Sequence, residues 1–215
     1  MKKYFIYFMM ITTFLTNCSK QKQKNFFQNA HKHQKIIPNT SSTQNTNTYQ
    51  EHIHQSSINY GIDERLIMAI IQVESNYNPT AISKSNAIGL MQLKASTAGK
   101  DVYKLKGLQG QPSPDILKNA EINIDCGTAY LSILQKQLLG INNSKTRRYA
   151  IIVAYVNGLS TLLNIFSINH NIAIKKINHM TPDKFCRYIK KHHPAPQAQT
   201  YLYKVNAVYS LIHHQ

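Results

Sequence analysis

Between residues 63 and 79 apolar side chains recur three and four positions apart: Leu66, Ile67, Ile70 and Ile71 fall on one stripe of a helix. Asp63 stands where an N-cap is wanted, since a short carboxylate can accept from the first unpaired backbone N–H groups. Asn78-Pro79 closes the pattern, because the residue before proline avoids the helical region. Glu74 prolongs the stripe, four residues after Ile70 and seven after Ile67. Residues 80–90 read as an irregular loop closed by Gly89. A short helix is predicted from Leu90 to Ala98, with Gly99 as its stop. The segment 100–114 holds Gly107, Gly110, Pro112 and Pro114 and reads as a loop. Helical patterns follow at roughly 115–138, 146–156, 181–191 and 198–212. The third opens on Thr181-Pro182-Asp183, a capping residue followed by proline at the first helical position. No alternating run is long enough for a convincing strand, and no repeat is visible. The pattern predicts a mainly α single domain over 51–215 with a small hairpin in the 80s.

The first fifty residues behave differently. Lys2 and Lys3 precede an apolar run from Tyr4 to Leu15, and Thr16-Asn17-Cys18-Ser19 follows. A basic end, a short apolar core and a small-residue exit make a secretion signal over 1–18. The run is too short to cross a bilayer as a helix of about 20 residues. Leu15-Thr16-Asn17-Cys18 resembles a bacterial lipobox, with Asn17 where Gly, Ala or Ser is usual, and makes Cys18 the expected site of lipidation. Residues 19–50 are rich in Gln, Lys, Asn, Ser, Thr and His, a basic tether too polar to bury a core. Cys126 and Cys186 are left as two small core residues or one optional bridge. The ten histidines form no ligand motif, and neither a metal nor another cofactor is implied.

Charge narrows the partners. With 25 Lys and Arg against 9 Asp and Glu, the formal charge of +16 favours a polyanion or an anionic surface. No basic recognition helix or aromatic RNA motif accompanies it, so nucleic acid is not expected as a partner. The same scarcity of acid singles out Glu74. Burial without a nearby cation disfavours the charged carboxylate and raises its pKa. A carboxylic acid kept protonated near neutral pH is what cleavage of a glycosidic bond needs, because the leaving oxygen must receive a proton. The bland alternative is a helix-end glutamate bonded to the following loop.

The text around Glu74 decides between them. Glu74-Ser75, Asn78-Pro79 and Ala87-Ile88-Gly89-Leu90-Met91-Gln92 resemble the signature of the lysozyme-like lytic transglycosylases that cut bacterial peptidoglycan. Ala154-Tyr155-Val156-Asn157-Gly158 is similar to that family's Ala-Tyr-Asn-x-Gly motif, with one residue inserted before Asn157. His193-Pro194-Ala195-Pro196-Gln197 and Tyr201-Leu202-Tyr203-Lys204 complete a likeness running from about residue 55 to 213.

The resemblance implies an α+β lysozyme-like fold with a cleft. It also implies cleavage of the β-1,4 bond between N-acetylmuramic acid and N-acetylglucosamine to give 1,6-anhydromuramic acid ends. Glu74 would be the sole catalytic acid and then base. Ser83 and Ser85 would stand in the cleft wall, where loop capping is their alternative use. Gln92 and Asn157 would offer amides to the sugar, or else satisfy backbone groups. Tyr155 and Tyr201 would supply a stacking face and a phenol aimed at the reacting centre. Gly89 would permit close approach of the chain, with a simple turn as its alternative. Ordinary glycosidases use two carboxylates, yet between Glu74 and Asp101 there is no other Asp or Glu, so a partner could come only from tertiary folding. One carboxylate suits an intramolecular reaction, in which the muramic C6 hydroxyl attacks its own C1. Hydrolysis, as in goose-type lysozyme, and a non-catalytic peptidoglycan-binding module are the competing readings. A lipid-anchored monomer on the outer membrane, facing the periplasm and cutting within strands, is the expected setting.

Overall fold

The computed structural model describes residues 44–212, with side chains from Thr48 onward. The signal-like segment, Cys18 and most of the tether lie outside the described residues. The first helix, α1 (Gln44–Tyr60), begins inside the stretch read as tether, so its last residues already belong to a folded element. Tyr49 and Ile53 of α1 are buried in the core, which explains why the helix holds where composition alone argues for a polar linker.

The amphipathic stripe forms α2 (Glu64–Ser75), with Asp63 accepting from the backbone N–H of Arg65 at 3.0 Å. Leu66, Ile67, Ala69, Ile70 and Ile71 are all buried. The helix stops three residues before the predicted break. Asn76 and Tyr77 both take left-handed backbone, φ 51° and 62°, and the Asn76 N–H closes on the Gln72 carbonyl.

The predicted helix at Leu90 is a correction. Residues 80–94 form a folded loop held by isolated antiparallel bridges, Ile82 with Ile88 and Ile88 with Leu93, which replace a full hairpin. The helix begins only at Ala95, as a π-turn over Ala95–Gly99 that runs straight into α3 (Lys100–Leu105). Gly99 therefore does not stop it. Its backbone is right-handed, φ −60°, and a Cβ there would sit 2.7 Å from the Pro112 ring, so the glycine serves packing. The predicted loop 100–114 is helical in its first turn and a half for the same reason.

The pattern at 115–138 divides into α4 (Pro114–Lys118) and α5 (Ala120–Gln137), because Asn119 caps α5 by accepting from Ile122 N–H at 3.0 Å. Next come α6 (Ser144–Asn157), α7 (Leu159–Asn164) and α8 (His170–Asn178), of which only α6 was expected. Thr181 caps α9 (Pro182–His192) as the sequence predicts, and α10 (Ala198–Leu211) ends the described chain.

α2, α5, α6 and α10 make the centre of the core, with α10 lying against both α2 and α6. Tyr209 of α10 is sandwiched between two guanidiniums, Arg65 of α2 at 4.5 Å and Arg148 of α6 at 4.0 Å from its ring centroid. Its hydroxyl donates to Asp63 at 2.6 Å and accepts from Arg65 at 2.7 Å. Cys126 and Cys186 are buried and unbridged, and burial pushes their thiols up to about 12 and about 11. They are the small core residues of the two readings. Among the described residues no helix is long and apolar enough to cross a membrane.

Candidate active site

Glu74 is the penultimate residue of α2, one turn beyond the fully buried Ile70. Its carboxyl lies under α10, where the Tyr201 hydroxyl donates to Glu74 Oε1 at 2.6 Å. Burial pushes the carboxyl up from 4.5 to about 7, and the Tyr201 hydrogen bond, which favours the carboxylate, only partly opposes it. The neighbouring carbonyls at the C-terminal end of α2 also disfavour a negative charge. No cation compensates. The ion pairs among the described residues join His54 to Glu64, Arg65 to Asp63, Lys106 to Asp125 and Lys118 to Asp115, and leave Glu74 out. Tyr201 in turn is held well above its usual range, first by burial and then by the Glu74 charge.

A cleft of about 490 Å³ opens over this carboxyl. Glu74, Ser83, Ser85, Gln92, Tyr155 and Asn157 all line it, so the structure brings together residues spread over 84 positions of the chain. Tyr201 reaches the site through its hydroxyl on Glu74. Ser83 and Ser85 place their Oγ atoms 3.2 Å apart, and Ser83 also accepts from the Ala87 N–H at 2.9 Å, so this cleft-wall serine caps its own loop. The Gln92 amide N–H₂ turns back onto the loop, donating to the carbonyls of Gly89 at 2.9 Å and Ala81 at 3.1 Å. Its oxygen remains the atom that can accept from a ligand. The Tyr155 hydroxyl donates to the Met91 carbonyl at 2.7 Å, which fixes the ring against Tyr130 at 5.6 Å between centroids. The Tyr155 phenol is thus engaged inside the protein. The Asn157 amide lies 3.5 Å from the Val153 carbonyl, a long contact that leaves it facing the cleft.

Gly158, at φ 86°, ends α6, and the five residues Ala154 to Gly158 fill the five positions of Ala-Tyr-Asn-x-Gly with no insertion. Val156 occupies the asparagine position, and Asn157 follows it; both line the cleft.

The acids that could have joined Glu74 go elsewhere. Asp125 accepts from the Tyr60 hydroxyl at 2.7 Å and pairs with Lys106 at 2.8 Å. Asp101 lines a neighbouring cavity. Among the described residues the cleft lining holds one carboxylate.

Several residues to which the sequence assigned no role in the site also belong to it. Lys94, Thr97, Tyr130 and Gln197 also line the cleft. Asn123 supports it from below: fully buried in α5, it accepts from the Met91 N–H at 2.8 Å and donates to the carbonyls of Ile88 at 2.9 Å and Leu117 at 2.7 Å. An asparagine between Ile122 and Ile124 in a helical pattern was the available signal, since a buried amide must find partners. Gly89, at φ 79°, opens the turn closed by the Gln92 N–H on its carbonyl, and it lies so close to the Asn123 side chain that any Cβ would strike it, so the turn and the close approach both need glycine. Ser75 fastens the loop to α2 by donating to the Leu90 carbonyl at 2.8 Å.

The profile of the family described as "Transglycosylase SLT domain" matches residues 51–178. The chain is 55% identical over 147 residues to the "Endo-type membrane-bound lytic murein transglycosylase A" of Cronobacter sakazakii, covering 68% of this chain and 72% of that protein. It is 46% identical over 180 residues to the "Membrane-bound lytic murein transglycosylase C" of Photorhabdus laumondii, covering 83% of this chain and 50% of that protein. Its fold is similar to that of an inactive variant of the lytic transglycosylase Slt from Pseudomonas aeruginosa, with a TM-score of 0.61 and 24% identity. That alignment takes in 76% of this chain but only 23% of the larger protein, and it bears on the fold alone.

Proposed function

The chain belongs to the transglycosylase SLT family, and on that premise we propose that it is a lytic murein transglycosylase in which Glu74 serves as both acid and base. The observation that carries this reading is a buried, cation-free carboxyl, held near neutrality and touched by Tyr201, as the one acid lining a cleft. Protonated Glu74 donates to the oxygen of the β-1,4 bond between N-acetylmuramic acid and N-acetylglucosamine, and the C–O bond breaks toward an oxocarbenium-like C1. The resulting carboxylate accepts the proton of the muramic C6 hydroxyl as that oxygen bonds to C1, which closes the 1,6-anhydro ring and restores the acid. Neither water nor a second carboxylate enters.

Each remaining residue has a part consistent with its contacts. Tyr201 steadies the carboxylate between the two proton transfers. The Gln92 oxygen and the Asn157 amide meet the sugar's N-acetyl and hydroxyl groups, Tyr155 supplies the face against which a ring packs, and Ser83 and Ser85 hold substrate from the loop wall. The test is product analysis on purified sacculi. Anhydro-muramic ends are expected; reducing ends would mean hydrolysis, and binding without cleavage would reduce the protein to a peptidoglycan-binding module.

The named relatives are membrane-bound, which supports membrane association of this chain. The finer reading is a secretion signal over 1–18, a lipid on Cys18, a tether and a monomeric catalytic domain, held at the outer membrane and facing the periplasm. Endolytic cutting follows the endo-type relative that shares 55% identity. Lys20, Lys22 and Lys24 then add an electrostatic contact of roughly 1 kcal/mol each to anionic headgroups. Release of the protein from membranes by high salt alone would rule out the lipid.

A further inference from the structure

A second cavity, of about 680 Å³, adjoins the cleft: Tyr130 and Gly158 line both. Its walls are α3, α5 and the start of α7. The volume is within the range of ordinary ligand sites. Its charged groups stand close together on one helix, whereas Glu74 and Lys94 reach the cleft from separate segments. Asp101 and Lys104, three residues apart on α3, are both exposed on its wall, and neither takes part in an ion pair among the described residues. Ser160 and Thr161 add hydroxyls to the lining. The Asp101 carboxylate is near enough to Tyr130 to raise the phenol's pKa, second to burial. A neutral sugar needs hydrogen bonds, and the hydroxyls would serve it; an unpaired carboxylate and ammonium side by side match a ligand that is itself zwitterionic.

A glycan strand lying in the cleft carries such a ligand. The lactyl group of each muramic acid bears a short peptide that leaves the line of the sugars sideways. That stem has free carboxylates and, where it contains an uncrosslinked diamino acid, a free amino group. We propose that this cavity seats the peptide stem of the bound muramic acid, with Lys104 facing a stem carboxylate and Asp101 its free amine. The proposal rests on the reading of the cleft as a glycan-cleaving site, and makes recognition of the stem a property of α3.

Three substrates test it with the full-length protein: soluble strands bearing uncrosslinked stems, the same strands with their amines acetylated, and strands stripped of peptide by an amidase. Exposed charge pairs are worth little, so each lost contact should raise KM by about two- to fivefold, with kcat unchanged. The wild type is expected to prefer intact over acetylated strands, and acetylated over stripped ones. Asp101→Asn should erase the first preference and Lys104→Gln the second, while neither alters cleavage of stripped strands. Equal KM on all three substrates in the wild type would overturn the proposal. So would variants that impair stripped strands as much as intact ones, which would assign the cavity to sugar. Failure of the parent reading shows differently, as the absence of anhydro ends from every substrate, and would take this proposal with it.

Discussion

Replacing Glu74 by glutamine should make the protein more stable at neutral pH while abolishing turnover, and the size of the gain follows from the site. In the unfolded chain the carboxyl ionises near 4.5; in the folded protein burial holds it protonated to about 7. Below about pH 4.5 both states are protonated, and Glu74 adds no pH dependence. As pH rises from there to about 7, the unfolded chain releases a proton that the folded protein keeps, so the wild type loses stability over that window. Above it both states are ionised and the loss is complete. The interval from 4.5 to about 7 corresponds to a ceiling of about 3 kcal/mol at about 1.4 kcal/mol per tenfold change in protonation. The carboxyl is part-exposed at the floor of a cleft, so a loss of about 1–2 kcal/mol is the better expectation. That is a sizeable share of a typical domain stability of about 5–15 kcal/mol.

Glutamine keeps the shape and still accepts from the Tyr201 hydroxyl through its amide oxygen, but it has no proton to release. Urea unfolding of wild type and Glu74→Gln, followed by circular dichroism from about pH 4 to about pH 8, isolates this group because every other titration cancels in the difference. The two curves should coincide at the acid end and separate progressively through the window, with the variant ahead. A gap independent of pH, or a variant that falls behind at neutral pH, would refute the buried-acid account. Turnover of the variant should fall on the order of a hundredfold or more at every pH.

Tyr201→Phe removes the one donor that favours the carboxylate, so the alkaline limb of kcat/KM should move above its wild-type position near 7 by about one pH unit, and an unmoved limb would contradict the geometry. Asn123→Ala strips partners from the Met91 N–H and from two carbonyls, Leu117 in α4 and Ile88 in the loop, at about 2–4 kcal/mol in urea unfolding; a loss under about 1 kcal/mol would mean that water replaces the amide. Gly89→Ala should cost more than about 2 kcal/mol, because its Cβ would also lie 2.5 Å from the Leu117 carbonyl oxygen. Gly61→Ala makes the control: the same left-handed backbone with nothing within 4 Å of the added carbon, and strain of about 1–2 kcal/mol alone.

The elements that could be read from the chain are those whose signals are local. Asp63, Thr181 and the periodic apolar positions of α2, α6, α9 and α10 act within a turn or two of themselves, and the structure keeps them. The stretch from Leu90 to Leu105 went wrong because its decisive contacts are distant. Gly99 packs against Pro112 and continues the helix, and the turns at 90–94 are held by Asn123, some thirty residues on. α7 is too short to show a period at all, and α1 is a helix only because the core receives Tyr49 and Ile53.

The same division runs through the site. That Glu74 belongs to a buried stripe is a local fact, visible in the spacing from Ile67 and Ile70. What surrounds its carboxyl is not, since Tyr201 lies 127 residues further on and was placed there only by resemblance. The structure supplies the physical cause. Along α2, Arg65 and Glu74 are nine residues apart, a rise of about 13 Å; along α10, Tyr209 and Tyr201 are eight apart, about 12 Å. Arg65 touches Tyr209 and Glu74 touches Tyr201, so the two helices run antiparallel with nearly matched rises between two pins. The guanidinium sandwich around Tyr209 fixes the register of α10 against α2, and with it the position of the Tyr201 hydroxyl two turns away. A one-residue slip of α10 would turn that hydroxyl by about 100° around the helix axis and leave the carboxyl without its donor. The acid is thus tuned by two forces of different origin: a local apolar stripe that drives its pKa up, and a long-range clamp that keeps one hydrogen bond in place to hold it near neutrality.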